Sequence, residues 1–299
     1  MAVVGGGQMA RRVFLPVLAA RDDVELAVLV EPDEAARSRL GRVYRFGRIL
    51  DSIDRLGPAQ ADCALLLTPP DSRLGPFERL IELGLDVLAE KPMAADLGEA
   101  ERMVAQAERA GRVFMVGLNR RYMPCYLRAR EFVAGRPLHT ARVWKHGCKL
   151  WSHSLHVLDV LRWFCGEPVS VRAAGDFDDG GRERAAAAIV RFDSGTLGLF
   201  DSTNHYGMRK DELEAHGEDF TVRVCAPDEC LMYEAGREEA FRHGRDVWFM
   251  EAQTHYGFAG EVDHFLECVR TRGRPRTAGA EVLGSHRLAR AILDAMGEG

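Results

Sequence analysis

Six short apolar runs occupy the first 118 residues, with helix-spaced stretches or polar turns between them. No other feature of the chain limits its fold as tightly. The runs fall at residues 1–4, 24–30, 43–46, 62–67, 87–90 and 113–116. Between the first two, Met9, Val13, Phe14, Val17 and Leu18 recur at helical spacing; Phe77, Leu80, Ile81 and Leu83 line a second helix that Gly84 ends. Asp96 is placed to cap a third, whose apolar face holds Leu97, Met103, Val104 and Ala107. Strands joined through helices run parallel, because a parallel pair needs a long crossover. The alternation therefore predicts a doubly wound parallel sheet over residues 1–118.

The junctions of these elements carry the chemistry. Residues 1–4 run into Gly5-Gly6-Gly7-Gln8-Met9-Ala10, a G-x-G-x-x-A pattern between a strand and a helix. Glycines there let a pyrophosphate approach the backbone donors at the helix start, so Gly5, Gly7, Gln8 and Met9 are candidate dinucleotide contacts in a Rossmann-type domain. The second strand ends at Glu31, whose carboxylate can accept from an adenosine ribose and would repel a 2'-phosphate, favouring NAD over NADP. The fourth ends in Thr68-Pro69-Pro70 and the fifth in Glu90-Lys91-Pro92. Pro92 offers no ladder donor, so the strand stops where the Lys91 amine emerges. A lysine partly withdrawn from water can exchange protons near neutral pH, which makes Lys91 a candidate general acid/base, against the plain alternative of a surface lysine at a strand end.

From Asn119 the pattern changes. Residues 126–133 and 152–163 read as helices, and 138–144, 169–174, 185–192, 196–202, 211–216 and 220–224 as closely spaced strands that should pair antiparallel. Residues 258–271 and 280–296 read as closing helices. The expected fold is an N-terminal Rossmann domain, 1–118, and a C-terminal α+β domain, 119–299, with a mostly antiparallel sheet. Several polar side chains in this half stay open. Arg121 and Tyr122 could reach a polyol, or the arginine could make a structural pair. Lys145, His146 and Lys149 could meet an anionic substrate or form a solvated face. His205, Tyr206, His255 and Tyr256 cannot be ranked from spacing.

Composition narrows the class. A net charge of -5 gives no general basic surface for nucleic acid. The seven cysteines form no C-x-x-C pair and read as reduced thiols of a cytoplasmic protein, and no apolar run reaches the length needed to span a bilayer. His216, His243 and His264 show no metal-ligand spacing, so no metal is expected.

Taken together, Gly5-x-Gly7-x-x-Ala10, Thr68-Pro69-Pro70, Glu90-Lys91-Pro92 and Asn119-Arg120-Arg121-Tyr122-x-Pro124 resemble, in order and spacing, the Gfo/Idh/MocA oxidoreductases, the group of glucose-fructose oxidoreductase and inositol dehydrogenase. The resemblance spans nearly the whole chain. It implies a Lys91 amine beside the nicotinamide and the substrate hydroxyl, and cofactor contacts from Thr68, Pro69, Glu90 and Asn119. It also implies a catalytic role for His156 on the helix over 152–163, with Ser152 near the substrate. Two departures stand out: Arg73 replaces the histidine usual shortly after T-P-P, and Ser152 replaces an aspartate common four residues before the catalytic histidine. The implied activity is NAD-dependent interconversion of an alcohol and a ketone on a sugar, cyclitol or related polyol; an exposed sheet face in the second domain would suit a homodimer or homotetramer. The alternatives are a glycosidase that uses NAD for transient oxidation, and a protein that binds NAD or a ligand without catalysis.

Overall fold

The computed structural model describes residues 1–147, 149–207, 211–242 and 252–297; Cys148 and His243, counted above among the thiols and the histidines, lie outside the described residues. By its contacts the chain divides into two compact units, Met1–Leu118 with Phe258–Leu283, and Asn119–Gly257 with Gly284–Gly299.

In the first unit, β1 (Ala2–Val4), β2 (Val28–Val30), β3 (Arg48–Leu50), β4 (Cys63–Leu66), β5 (Asp86–Glu90) and β6 (Phe114–Gly117) form one parallel sheet in the order β3-β2-β1-β4-β5-β6. β1, β2, β4, β5 and β6 are buried along their whole length, as strands covered on both faces must be. The helices are a π-helical turn Ala10–Phe14 running into α1 (Leu15–Ala19), then α2 (Glu34–Val43), α3 (Leu74–Glu82) and α4 (Leu97–Arg109). The Asp96 side chain caps α4 by accepting from Glu99 N, as its place in the sequence predicts. The third strand falls later than predicted. Val43 is the last residue of α2 and 67% exposed, so the apolar residues at 43–46 belong to a helix end. The β3 register is set instead by pairing with β2 and by Glu31 N donating to Leu50 O at 3.0 Å.

In the second unit, α5 (Pro124–Phe132) and α6 (Leu155–Cys165) pack on an eight-stranded sheet of β7 (Leu138–His146), β8 (Pro168–Phe177), β9 (Glu183–Phe192), β10 (Leu197–Thr203), β11 (Asp211–Gly217), β12 (Phe220–Ala226), β13 (Glu229–Glu234) and β14 (Arg237–Arg242). The order is β14-β13-β12-β11-β7-β10-β9-β8, antiparallel except between β7 and β10. Alternation in β9 shows why one face is covered: Ala186, Ala188, Val190 and Phe192 are buried, while Ile189 between them is 48% exposed. The β13–β14 hairpin was not anticipated. Its turn is Ala235-Gly236, both at positive φ, and β14 is an exposed, charged edge strand without the alternation that marks its neighbours.

After α7 (Ala252–His255), α8 (Phe258–Thr271) lies in the first unit, and α9 (Gly279–Gly297) closes the chain. Within the first unit Phe258 meets Phe14 edge-on at 6.0 Å, and Val116 N donates to Thr277 O at 2.9 Å. Among the described residues no helix is long and apolar enough to cross a membrane, and no group of three or more His, Cys, Asp or Glu could hold a metal.

Candidate functional site

Strands β1 and β4 lie where the order of the parallel sheet reverses, the usual place for a ligand in an open α/β sheet. Gly5 follows β1 at φ +99°, and a Cβ there would stand 2.9 Å from the Leu67 carbonyl carbon and 3.0 Å from Thr68 N. Only glycine allows both that dihedral and that approach. A Cβ on Gly6 would meet Leu40 and the Glu31 carboxylate, whereas one on Gly7 would meet nothing within 4 Å. The glycine corner is therefore packed on the protein side and open at Gly7, where Gln8 is exposed and Met9 half-buried.

Glu31 ends beside this corner, only 9% exposed. Its Oε2 accepts from Gly6 N at 2.5 Å and its Oε1 from Asp33 N at 2.9 Å, so the carboxylate is oriented by backbone donors and keeps acceptor capacity for a hydroxyl. After β4, the Thr68 Oγ1 is buried without a hydrogen-bond partner, an uncommon state that a bound polar group would relieve. An open glycine turn, an oriented carboxylate and a waiting hydroxyl around one switch point fit a dinucleotide.

After β5, Glu90 is 8% exposed and its Oε2 accepts from Lys91 N at 3.0 Å; Lys91 itself is half-buried. Arg73, 2% exposed, donates through Nη1 to the carbonyls of Glu90 and Pro92, and through Nε and Nη2 to that of Thr68. Burial lowers the guanidinium pKa to about 10, partly offset by Glu90, so the group stays charged at neutral pH.

In the second unit, His156 is 8% exposed and is the second residue of α6. Ser152, in the π-helical turn Leu150–Ser154 before it, has its Oγ 3.1 Å from His153 Nδ1. Asp159, fully buried one turn on, receives Arg121 Nε at 2.7 Å, Arg121 Nη2 at 2.8 Å and Ser285 Oγ at 2.7 Å. Trp163 lies under the same guanidinium at 5.6 Å. Arg121 thus makes a buried bidentate pair, the structural alternative left open above. Tyr122 is 5% exposed. Asn119 is 1% exposed and bridges the Tyr256 carbonyl, at 2.8 Å, and Arg120 Nη1, at 2.9 Å.

The basic residues at 145–149 do not form one solvated face. Lys145 is 1% exposed and pairs with Asp211, which also receives Arg120. Burial by itself would raise the Asp211 pKa, but the two cations more than offset it and bring it down to about 2. His146 stacks on Tyr206 at 5.4 Å, and His255 Nε2 lies 3.0 Å from Asp228. Sequence reasoning missed this Arg120–Asp211–Lys145 cluster and the part played by Arg73. The available signals were that Lys145 shares strand parity with buried Ala141 and Val143, and that Arg73 stands where the resemblance leads one to expect another residue. Cys63 and Cys125 are no nucleophiles at neutral pH, because burial pushes their thiols up to about 11 and about 12.

Comparison with known proteins bears on both units. The family model GFO_IDH_MocA, described as an oxidoreductase family with an NAD-binding Rossmann fold, matches residues 1–118, and that of the GFO/IDH/MocA C-terminal domain matches residues 102–223. Among curated proteins, the myo-inositol dehydrogenase Hyg17 of Streptomyces leeuwenhoekii is 30% identical over 58% of this chain and 61% of that enzyme. The D-apiose dehydrogenase of Paraburkholderia graminis is 23% identical, with 100% of this chain and 88% of that enzyme covered. Among solved structures, the dehydrogenase (MviM) of Clostridium difficile matches with a TM-score of 0.89 at 21% identity, covering 99% of this chain and 98% of that one. At that identity the structural likeness speaks for the fold alone.

Proposed function

Because the chain belongs to the Gfo/Idh/MocA family of NAD-binding oxidoreductases, we propose that it interconverts a secondary alcohol and a ketone on a sugar, cyclitol or related polyol. The observation that carries this is the lysine at the carboxyl end of β5, next in the sheet to the Thr68 corner after β4. The inositol and apiose dehydrogenases among the relatives supply the substrate class.

Gly5, Gly7, Gln8 and Met9 would hold the pyrophosphate, Glu31 the adenosine ribose, and Thr68, Pro69 and Glu90 the nicotinamide half. When bound, NAD supplies hydride acceptance and return, the redox chemistry no side chain can offer. Lys91 in its neutral form takes the hydroxyl proton as the alcohol is oxidised and, as an ammonium, gives one back to the carbonyl oxygen in the reverse direction. His156 assists, as a group whose ordinary pKa lies close to neutrality. Ser152 contributes a hydroxyl that can both donate to and accept from a polyol, without the fixed charge of a carboxylate.

A panel of sugars, cyclitols and their keto forms, assayed with NAD and NADP for NADH or NADPH formed and for products, tests this. Net NADH together with a ketone product is expected. Cleavage of a glycoside without net NADH would favour transient oxidation instead, and binding without turnover across the panel would leave a ligand-binding protein.

A further inference from the structure

Side chains hold the backbone around Lys91 where β5 ends. Lys91 N donates to its neighbour's carboxylate at Glu90 Oε2, 3.0 Å away, and Pro92 has no N–H. The carbonyls on either side of the lysine, Glu90 O and Pro92 O, both accept from Arg73 Nη1, while Nε, at 3.1 Å, and Nη2 grip the Thr68 carbonyl. Four of the five guanidinium N–H groups are thereby spent on three carbonyls at the ends of two adjacent strands, β4 and β5. A charged side chain left only 2% exposed is costly to bury, and four of its donors are divided between this bend and the Thr68 corner.

We propose that Arg73 is the positioning residue for Lys91. Its planar fork fastens the peptides before and after the lysine to the Thr68 corner and so sets where the amine emerges. The inference rests on the role given to Lys91 above. A lysine at position 73 would keep the charge but, with three donors on one nitrogen, could not span both the corner and the bend. An alanine would take these four donors away from the three carbonyls.

The test uses the full-length protein with lysine Cε labelled with 13C. The chain has four lysines, Lys91, Lys145, Lys149 and Lys210, so four signals arise, and Lys91→Arg identifies that of Lys91 by its loss; Arg73→Lys adds a fifth, and the Lys91 signal in it is identified by its loss from the double variant with Lys91→Arg. In Arg73→Ala and Arg73→Lys the Lys91 signal and its titration midpoint should move toward those of a solvent-exposed lysine, with the Lys145 signal unchanged. With the best polyol of the panel, kcat should fall on the order of 100-fold, as expected for a misplaced reacting group, and KM should change far less. Millimolar guanidinium should restore part of both readouts in Arg73→Ala, whose site is empty, but not in Arg73→Lys. A folded Arg73→Lys protein with a wild-type Lys91 signal and wild-type kcat would overturn the proposal, as would equal shifts of Lys91 and Lys145, the mark of general loosening. If Arg73→Ala does not fold, Arg73→Lys alone decides. If no polyol is turned over, the functional role of Lys91 fails, while the response of its signal to position 73 still decides whether Arg73 places it.

Discussion

A single substitution separates chemistry from cofactor binding. Replacing Lys91 with alanine is expected to lower kcat by roughly 10²- to 10⁴-fold, the range for loss of an acid/base group, while NADH affinity measured by fluorescence stays close to wild type. An unchanged kcat would remove Lys91 from the mechanism. Glu31→Ser should raise the ratio of NADP to NAD turnover by about tenfold or more, since the carboxylate that would repel a 2'-phosphate is gone. Steady-state kinetics with both cofactors reads that ratio. Both residues could be picked out in the sequence because a local event marks them, a proline directly after Lys91 and the end of an apolar strand at Glu31. Arg73 carried no such mark, since its partners Glu90 and Pro92 lie 17 and 19 residues away and meet it only after β4 and β5 pair.

Elements place these residues, and their weak points are testable. Gly5→Ala puts a Cβ 2.9 Å from backbone at a dihedral of +99°, so a stability loss of about 1–3 kcal/mol is expected, seen as a lower Tm, together with weaker NADH binding. In the second unit, β11 pairs with β7 so that Asp211 stands directly opposite Lys145. The folded-state pKa of Asp211, about 2, lies below its ordinary value of 3.8. This carboxylate therefore adds stability that is full above about pH 4 and is lost as the pH falls through 2, about 2 kcal/mol in all. Urea unfolding between pH 6 and pH 2 should show this component in the wild type and lack it in Asp211→Asn. An identical pH dependence in the two proteins would count against the cluster. The buried strands of the first sheet were legible as continuous apolar runs, and most of the second sheet because buried and exposed positions alternate; the β13–β14 hairpin was not, and β14, an edge strand with polar residues on both faces, has no periodicity to read.

At the scale of the whole chain, the order of elements does not coincide with the order of units. Residues 258–283 lie with residues 1–118, joined through Phe258 on Phe14, Thr277 O on Val116 N, and Arg272 paired with Asp86. A fragment ending at residue 118 would expose the apolar surface that α8 covers, including the fully buried Phe14, which meets Phe258. Such a fragment is expected to unfold at a much lower temperature than the full chain and to bind NADH at least about tenfold more weakly, the affinity falling with the folded fraction. Calorimetry and fluorescence titration of the two proteins would check this, and equal affinities would show that the later segment is dispensable to the glycine corner.

The parallel and antiparallel sheets, the glycine corner, the acid that ends β2 and the lysine that ends β5 were determined by the sequence alone. Each rests on forces that act over a few residues: apolar periodicity, the conformational freedom of glycine, the missing donor of proline. The fork of Arg73 around Lys91 and the meeting of Asp211 with Lys145 and Arg120, 66 and 91 residues away, were decided only by the tertiary structure. So was the return of α8 to the first sheet. Such pairings depend on strand register and on which charges burial brings together, and no local rule encodes them.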